Sequence, residues 1–206
     1  MGRKRSGDSG NVKDVTAGAS QNCPLQDLAV AETDSGTMLG GDVPNSNKLS
    51  GILGSKAQAE LSSIPGGKEL LDDISGASGR SFNEAGQLAN RQVAAIALQK
   101  LRSGNFDDAV VALERSVFEK NGKLVTKLDV ETATQIIEIK GGLKNQSSLN
   151  PKKQKQFFAE LNEAKKTGKQ LVYQFDGPVN PKLVQKLEKR GAIVVQDKID
   201  LSILDN

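Results

Sequence analysis

Two carboxylates and a lysine fall close together in the stretch Leu128-Asp-Val-Glu-Thr-Ala-Thr-Gln-Ile-Ile-Glu-Ile-Lys140. Strand side chains alternate, so Glu138 and Lys140 share one face while Ile137 and Ile139 take the other. If the turn is symmetric about Ala133 and Thr134, Asp129 lies directly across from Glu138, with opposed side chains about 5 Å apart. Like charges held that close repel unless a cation sits between them. A divalent ion such as Mg²⁺ takes a few carboxylate oxygens together with water and phosphate oxygens. It acidifies a bound water and polarises a phosphoryl group. The Lys140 ammonium can orient that water or stabilise charge on a pentacovalent phosphate. Phosphodiester hydrolysis needs no further group.

The pattern has a blander reading, an exposed cross-strand ion pair. Glu-x-Lys by itself carries little weight, since Glu163-Ala-Lys165 repeats it. That copy falls in a predicted helix, where residues two apart do not face each other, and is set aside. Composition narrows the field from another side. The chain has no histidine, which removes Ser–His–Asp and Cys–His triads and histidine-based nuclease chemistry. Its one cysteine, Cys23, excludes an intramolecular disulfide framework and zinc sites built on several Cys or His ligands. Any catalysis falls to carboxylates and lysines, and oxygen ligands suit Mg²⁺ or Mn²⁺.

Charge is unevenly spread. The net charge is +3, yet residues 140–190 carry 12 basic side chains against 4 acidic ones. That excess favours a polyanionic partner such as nucleic acid or an anionic membrane surface, a solvated lysine-rich face being the alternative. The basic start Met1-Gly-Arg-Lys-Arg5 is followed by no apolar stretch, so no signal peptide is expected, and no run has the length of a membrane span.

The elements that must hold the hairpin lie in the second half. Residues 1–80 contain 13 of the 21 glycines and 11 serines, and read as a linker or weakly ordered segment. Residues 81–206 read as one domain. Ser81-Phe-Asn-Glu84 has capping-box spacing, and Leu88, Val93, Ile96, Ala97 and Leu101 continue a helix of roughly 20 residues to Gly104. Strands are predicted at Ala109–Phe118, Leu124–Glu131 and Gln135–Lys140, the first two joined at Asn121-Gly122. Asn150-Pro151 opens a helix with Phe157, Phe158, Leu161 and Ala164 on its apolar face and Gly168 at its end. A strand at Leu171–Phe175, a helix at Pro181–Arg190 and a strand at Ala192–Gln196 complete an αβββαβαβ order, a mixed central sheet flanked by helices. Tyr173 reads as core or sheet surface. Aromatics, 3% of the chain, are too few for a stacking platform on single strands.

Leu128-Asp129 followed by Ile136-Ile-Glu138-Ile-Lys140-Gly-Gly resembles the core motif of the PD-(D/E)xK nuclease superfamily. In particular it resembles the toxin nucleases at the C-termini of bacterial polymorphic and contact-dependent inhibition toxins. The resemblance covers roughly residues 80–198. It implies a restriction-endonuclease-like fold, metal held by Asp129 and Glu138, and Lys140 assisting the attacking water. The proline that often precedes the aspartate is replaced by Leu128. Members often add a glutamate from the first helix, for which Glu84 is the best match, although a capping-box glutamate belongs at the same place. Glu114 is a second candidate, with pairing to Arg115 or a neighbouring strand as its alternative. Such nucleases also place Lys and Gln on the helix after the motif; Lys153 and Gln156, three apart, share a face there, the polar side of an amphipathic helix being the alternative reading and the one favoured. Lys144 and its lysine neighbours would add backbone attraction.

Together these readings give a metal-dependent endonuclease acting on DNA. The resemblance makes it the toxic C-terminal module of a bacterial antagonism system. Such a module is delivered as part of a larger toxin, acts in the target-cell cytoplasm and is matched by a cognate immunity protein. An RNase of the same fold, acting for example on tRNA, and a non-catalytic nucleic-acid-binding module are the alternatives.

Overall fold

Glycine and proline punctuate this chain, and the runs of Val, Ile and Leu between them fold where the spacing predicts. The computed structural model describes residues 53–206. The elements are α1 (Ser55–Ser62), α2 (Gly67–Ser75), α3 (Glu84–Arg102), β1 (Val110–Phe118), β2 (Leu124–Thr132), β3 (Gln135–Gly141), α4 (Pro151–Thr167), β4 (Gln170–Asp176), α5 (Pro181–Glu188) and β5 (Ala192–Val195). From α3 onward the order is αβββαβαβ, as the sequence predicts. The five strands form one mixed sheet in the order β1-β2-β3-β4-β5. The first three are antiparallel neighbours; β3, β4 and β5 run parallel through the α4 and α5 crossovers.

Two apolar layers hold the helices on the sheet. Leu61, Leu70, Leu98, Val130, Ile137 and Val172 belong to one, beneath α1, α2 and α3. Leu128, Ile136, Phe157, Tyr173, Phe175 and Leu183 belong to the other, beneath α4 and α5. Helix α4 begins as its sequence dictates: Asn150 Oδ1 accepts from the Lys153 N–H at 2.8 Å, and Pro151 occupies the first turn, where its missing N–H costs nothing. Gly168, at φ 69°, ends it.

Two expectations need correction. The boundary placed at residue 80 is displaced, because residues 53–80 carry α1 and α2, which bury Ala57, Leu61, Ile64 and Leu70 against α3. This pair is tied in by the Leu113 N–H, which donates to Pro65 O at 2.9 Å. At Gly66, φ 84°, a Cβ would stand 2.0 Å from Leu113 O, so only glycine permits that approach. The linker expected over residues 1–52, Cys23 included, lies outside the described residues. The second correction concerns α3. Its cap is Asn83, whose Oδ1 accepts from the Gly86 N–H at 2.8 Å, so Glu84 is the first helical residue and the Ser81–Glu84 capping box does not form.

One irregularity bears on the site. Leu113 pairs with Val130 and Arg115 with Leu128, which sets Glu114 opposite Asp129. Glu114 has φ 51°, a left-handed backbone inside a strand. The faces switch there: Val130 packs in the layer under α3, whereas Leu128, two residues away, packs in the layer under α4. Among the described residues, no helix is long and apolar enough to cross a membrane.

Candidate active site

The β2–β3 ladder pairs Val130 with Ile137 and Glu131 with Ile136. That register, continued by one step, sets Asp129 opposite Glu138, as the symmetric turn predicts. The backbone ladder stops short of the pair. Asp129 Oδ2 instead accepts the Ile139 N–H at 2.7 Å, so a carboxylate sits where the strands part.

Glu138, fully buried, receives Lys140 Nζ on Oε2 at 2.8 Å, and the same ammonium lies 3.9 Å from Asp129 Oδ2. The two carboxylates therefore converge on one cation. Glu138 Oε1 is buried with no hydrogen-bond partner. A buried carboxylate oxygen left this way is costly, and such groups concentrate at functional sites.

A third carboxylate completes the cluster, one the sequence reading missed. Glu160 on α4 is fully buried and accepts from Tyr173 Oη at 2.5 Å and from Thr126 Oγ1 at 3.3 Å. Gln156, one turn earlier, also hydrogen-bonds to it. The signal was available: Glu160 falls within the apolar stripe of Phe157, Leu161 and Ala164, where a solvated glutamate does not belong.

Three carboxylates thus face one ammonium, and their proton affinities follow. Burial, reinforced by the charge on Asp129, holds Glu138 well above the usual carboxylate range, against the pull of Lys140. Burial also raises Glu160, with Asp129 adding to it and Lys140 opposing. Glu114 is pushed from 4.5 to about 7, by burial first and then by Asp129 across the strand pair. Burial would lower Lys140, but Glu138, Asp129 and Glu160 together hold it above the ordinary lysine range.

Lys153 and Gln156 come to the same place. They line a cavity of about 120 Å³ with Lys140, Leu149, Tyr173 and Phe175. Gly141 and Gly142 border it too; a Cβ on Gly142 would lie 3.3 Å from Pro178 O. Lys144 is exposed in the following loop and is not part of the wall. Glu84 is exposed at the start of α3 and joins none of the site's hydrogen bonds or ion pairs. Glu114 is the additional carboxylate that stands beside Asp129.

Among the described residues, no group of three or more carboxylates is arranged to hold a metal ion. Asp129 and Glu138 nevertheless converge on a cation, and Glu138 Oε1 lacks a donor. That donor set fits a hard divalent ion held by two carboxylates and completed by water and phosphate oxygens. Comparison with known proteins finds no matching family model, curated protein or solved structure.

Proposed function

We propose that this chain is a metal-dependent endonuclease that hydrolyses phosphodiester bonds of DNA, with Asp129, Glu138 and Lys140 at its centre. The observation that carries the reading is the convergence of Asp129 and Glu138 on Lys140, with a buried oxygen of Glu138 left unpartnered. A bound Mg²⁺ or Mn²⁺ supplies an acidified water and a polarised phosphoryl oxygen.

The chain's own residues do the rest. Asp129 and Glu138 would hold the cation, and the Ile139 N–H fixes the Asp129 carboxylate through one oxygen. Lys140, held above the ordinary lysine range, stays charged and would stabilise negative charge building on the phosphate. Glu160 anchors Gln156 on the wall beside Lys140 and Lys153, whose ammoniums attract phosphates flanking the scissile bond.

The resemblance to PD-(D/E)xK toxin nucleases supports the same reading. It extends the proposal to the toxic module of a bacterial antagonism system, acting in a target cell and neutralised by an immunity protein. The test incubates the purified chain with plasmid DNA and with total RNA, in Mg²⁺, Mn²⁺ or chelator, beside Asp129→Ala and Lys140→Ala. Metal-dependent cleavage of DNA, lost in both variants, is the expected result. Cleavage of RNA alone would move the substrate to RNA, and no cleavage by folded wild type would reject the nuclease.

A further inference from the structure

We infer that the cavity beside Lys140 receives an unstacked nucleobase, so that the site acts on unpaired stretches of nucleic acid in preference to intact duplex. This inference rests on the nuclease reading above and names the substrate form that the same site takes.

The cavity has two kinds of wall. Lys140, Lys153 and Gln156 bring polar groups to it, while Leu143, Leu149, Tyr173 and Phe175 are its apolar lining. The Tyr173 and Phe175 rings stand side by side, centroids 5.9 Å apart. A phosphate needs donors around its oxygens and would meet mostly carbon here. A nucleobase has apolar faces and a polar edge, and matches both kinds of wall. Gln156, held by Glu160, keeps its remaining polar atoms for that edge. The two lysines suit the phosphates on either side.

The volume, about 120 Å³, admits one flat heterocycle rather than a base pair. A duplex covers its base faces by stacking, and must unstack and unpair a nucleotide before the cavity can be filled. A single strand meets no such cost. Tyr173 and Phe175 belong to the buried layer under α4 and border the cavity from that layer, so the base would meet ring edges of the core and not an exposed platform.

The chain carries its own reporter. It has no tryptophan and Tyr173 is its only tyrosine, so intrinsic emission reads this cavity alone. The experiment titrates the wild-type chain in chelator, where the proposed nuclease does not cut. The titrants are a short single-stranded oligonucleotide, its blunt duplex and an abasic version, followed by Tyr173 fluorescence and by affinity. The expected result is quenching by the single strand, binding roughly ten-fold or more tighter than to duplex, and loss of quenching with the abasic strand. Leu143→Phe, which narrows the cavity, should lose both; Gln156→Ala serves if Leu143→Phe fails to fold.

Equal binding of strand and duplex with no change in Tyr173 emission overturns the inference. If the same protein then cuts duplex plasmid with metal, the nuclease stands and only the base pocket falls. Quenching by single strands from a protein that cuts nothing keeps the pocket and removes the nuclease.

Discussion

Two charged clusters lie under α4, two residues apart along β2, and they are built on opposite principles. Around Glu131 the charges balance. Arg115 and Lys169 both pair with it, Arg115 also reaches Glu163 at 3.1 Å, and Lys169 donates to Thr132 O at 2.6 Å. Burial raises the Glu131 carboxyl, but Arg115 and Lys169 outweigh it and hold the group below its usual range. Around Asp129 the charges do not balance: Lys140 alone answers Asp129, Glu138 and Glu160. The first cluster is complete as it stands and fixes α4 to the sheet. The second is short of positive charge, which is the electrostatic condition for taking up a cation and a phosphate. Buried charge marks both; only the unbalanced one suggests chemistry.

The largest effect that can break this comparison is catalytic. Asp129→Ala and Lys140→Ala should each lower metal-dependent cleavage by about 10²-fold or more, measured as plasmid nicking rate. Glu131→Gln, at a buried position two residues from Asp129, should leave the rate within a few-fold once the folded fraction is matched. Equal losses from both clusters would mean that the site has been drawn too small, or that both clusters are structural.

Stability should change with opposite sign. Glu131→Gln leaves Lys169 and Arg115 short of a partner and should cost about 1–3 kcal/mol in denaturant unfolding. Glu138→Gln relieves repulsion among three carboxylates and should raise the melting temperature of the metal-free protein. A fall in melting temperature for Glu138→Gln would show that its pairing with Lys140 outweighs the repulsion.

How much of this was legible follows from the range of the interactions. The register that opposes Asp129 to Glu138 depends on a short turn, and the sequence reading placed it correctly. The Asn150-Pro151 start of α4 is equally local. Glu160 was missed because its partners, Thr126 and Tyr173, come from strands 34 and 13 residues away. Helices α1 and α2 were missed because composition averaged over 80 residues hides the short apolar series Leu61, Ile64, Leu70 and Ile74. The left-handed Glu114 has no composition signal at all: it is imposed where β1 changes faces between the two layers.

Acidity offers a smaller effect with a definite sign. Glu114 titrates near 4.5 when unfolded and about 7 when folded. The folded state binds the proton more tightly, so the stabilisation is fully present below the unfolded value and is lost as pH rises through about 7. The metal-free melting temperature should therefore fall between pH 5 and 8 by more in wild type than in Glu114→Gln. Glu131, held low, contributes the reverse slope, but only as pH falls below its unfolded value. A Glu114→Gln profile parallel to wild type would place the proton elsewhere in the cluster, with Glu138 or Glu160 as the next groups to replace.

The smallest effects separate a helix cap from an active-site residue. Asn83 Oδ1 satisfies the Gly86 N–H, one of the donors a helix start leaves open, and Asn83→Ala should cost about 1 kcal/mol. Glu84 beside it is exposed and touches none of the site's charges, so Glu84→Gln should change stability by no more than about 0.5 kcal/mol. Cleavage should likewise stay close to wild type. The two variants share one helical turn, so a common loss of activity would point to the helix start itself rather than to a carboxylate. A ten-fold loss in Glu84→Gln alone, with its unfolding curve unchanged, would mean that Glu84 moves to Asp129 when substrate binds. Glu114 would then surrender its place as the site's additional carboxylate, and the asymmetry between the two clusters would grow by one more negative charge.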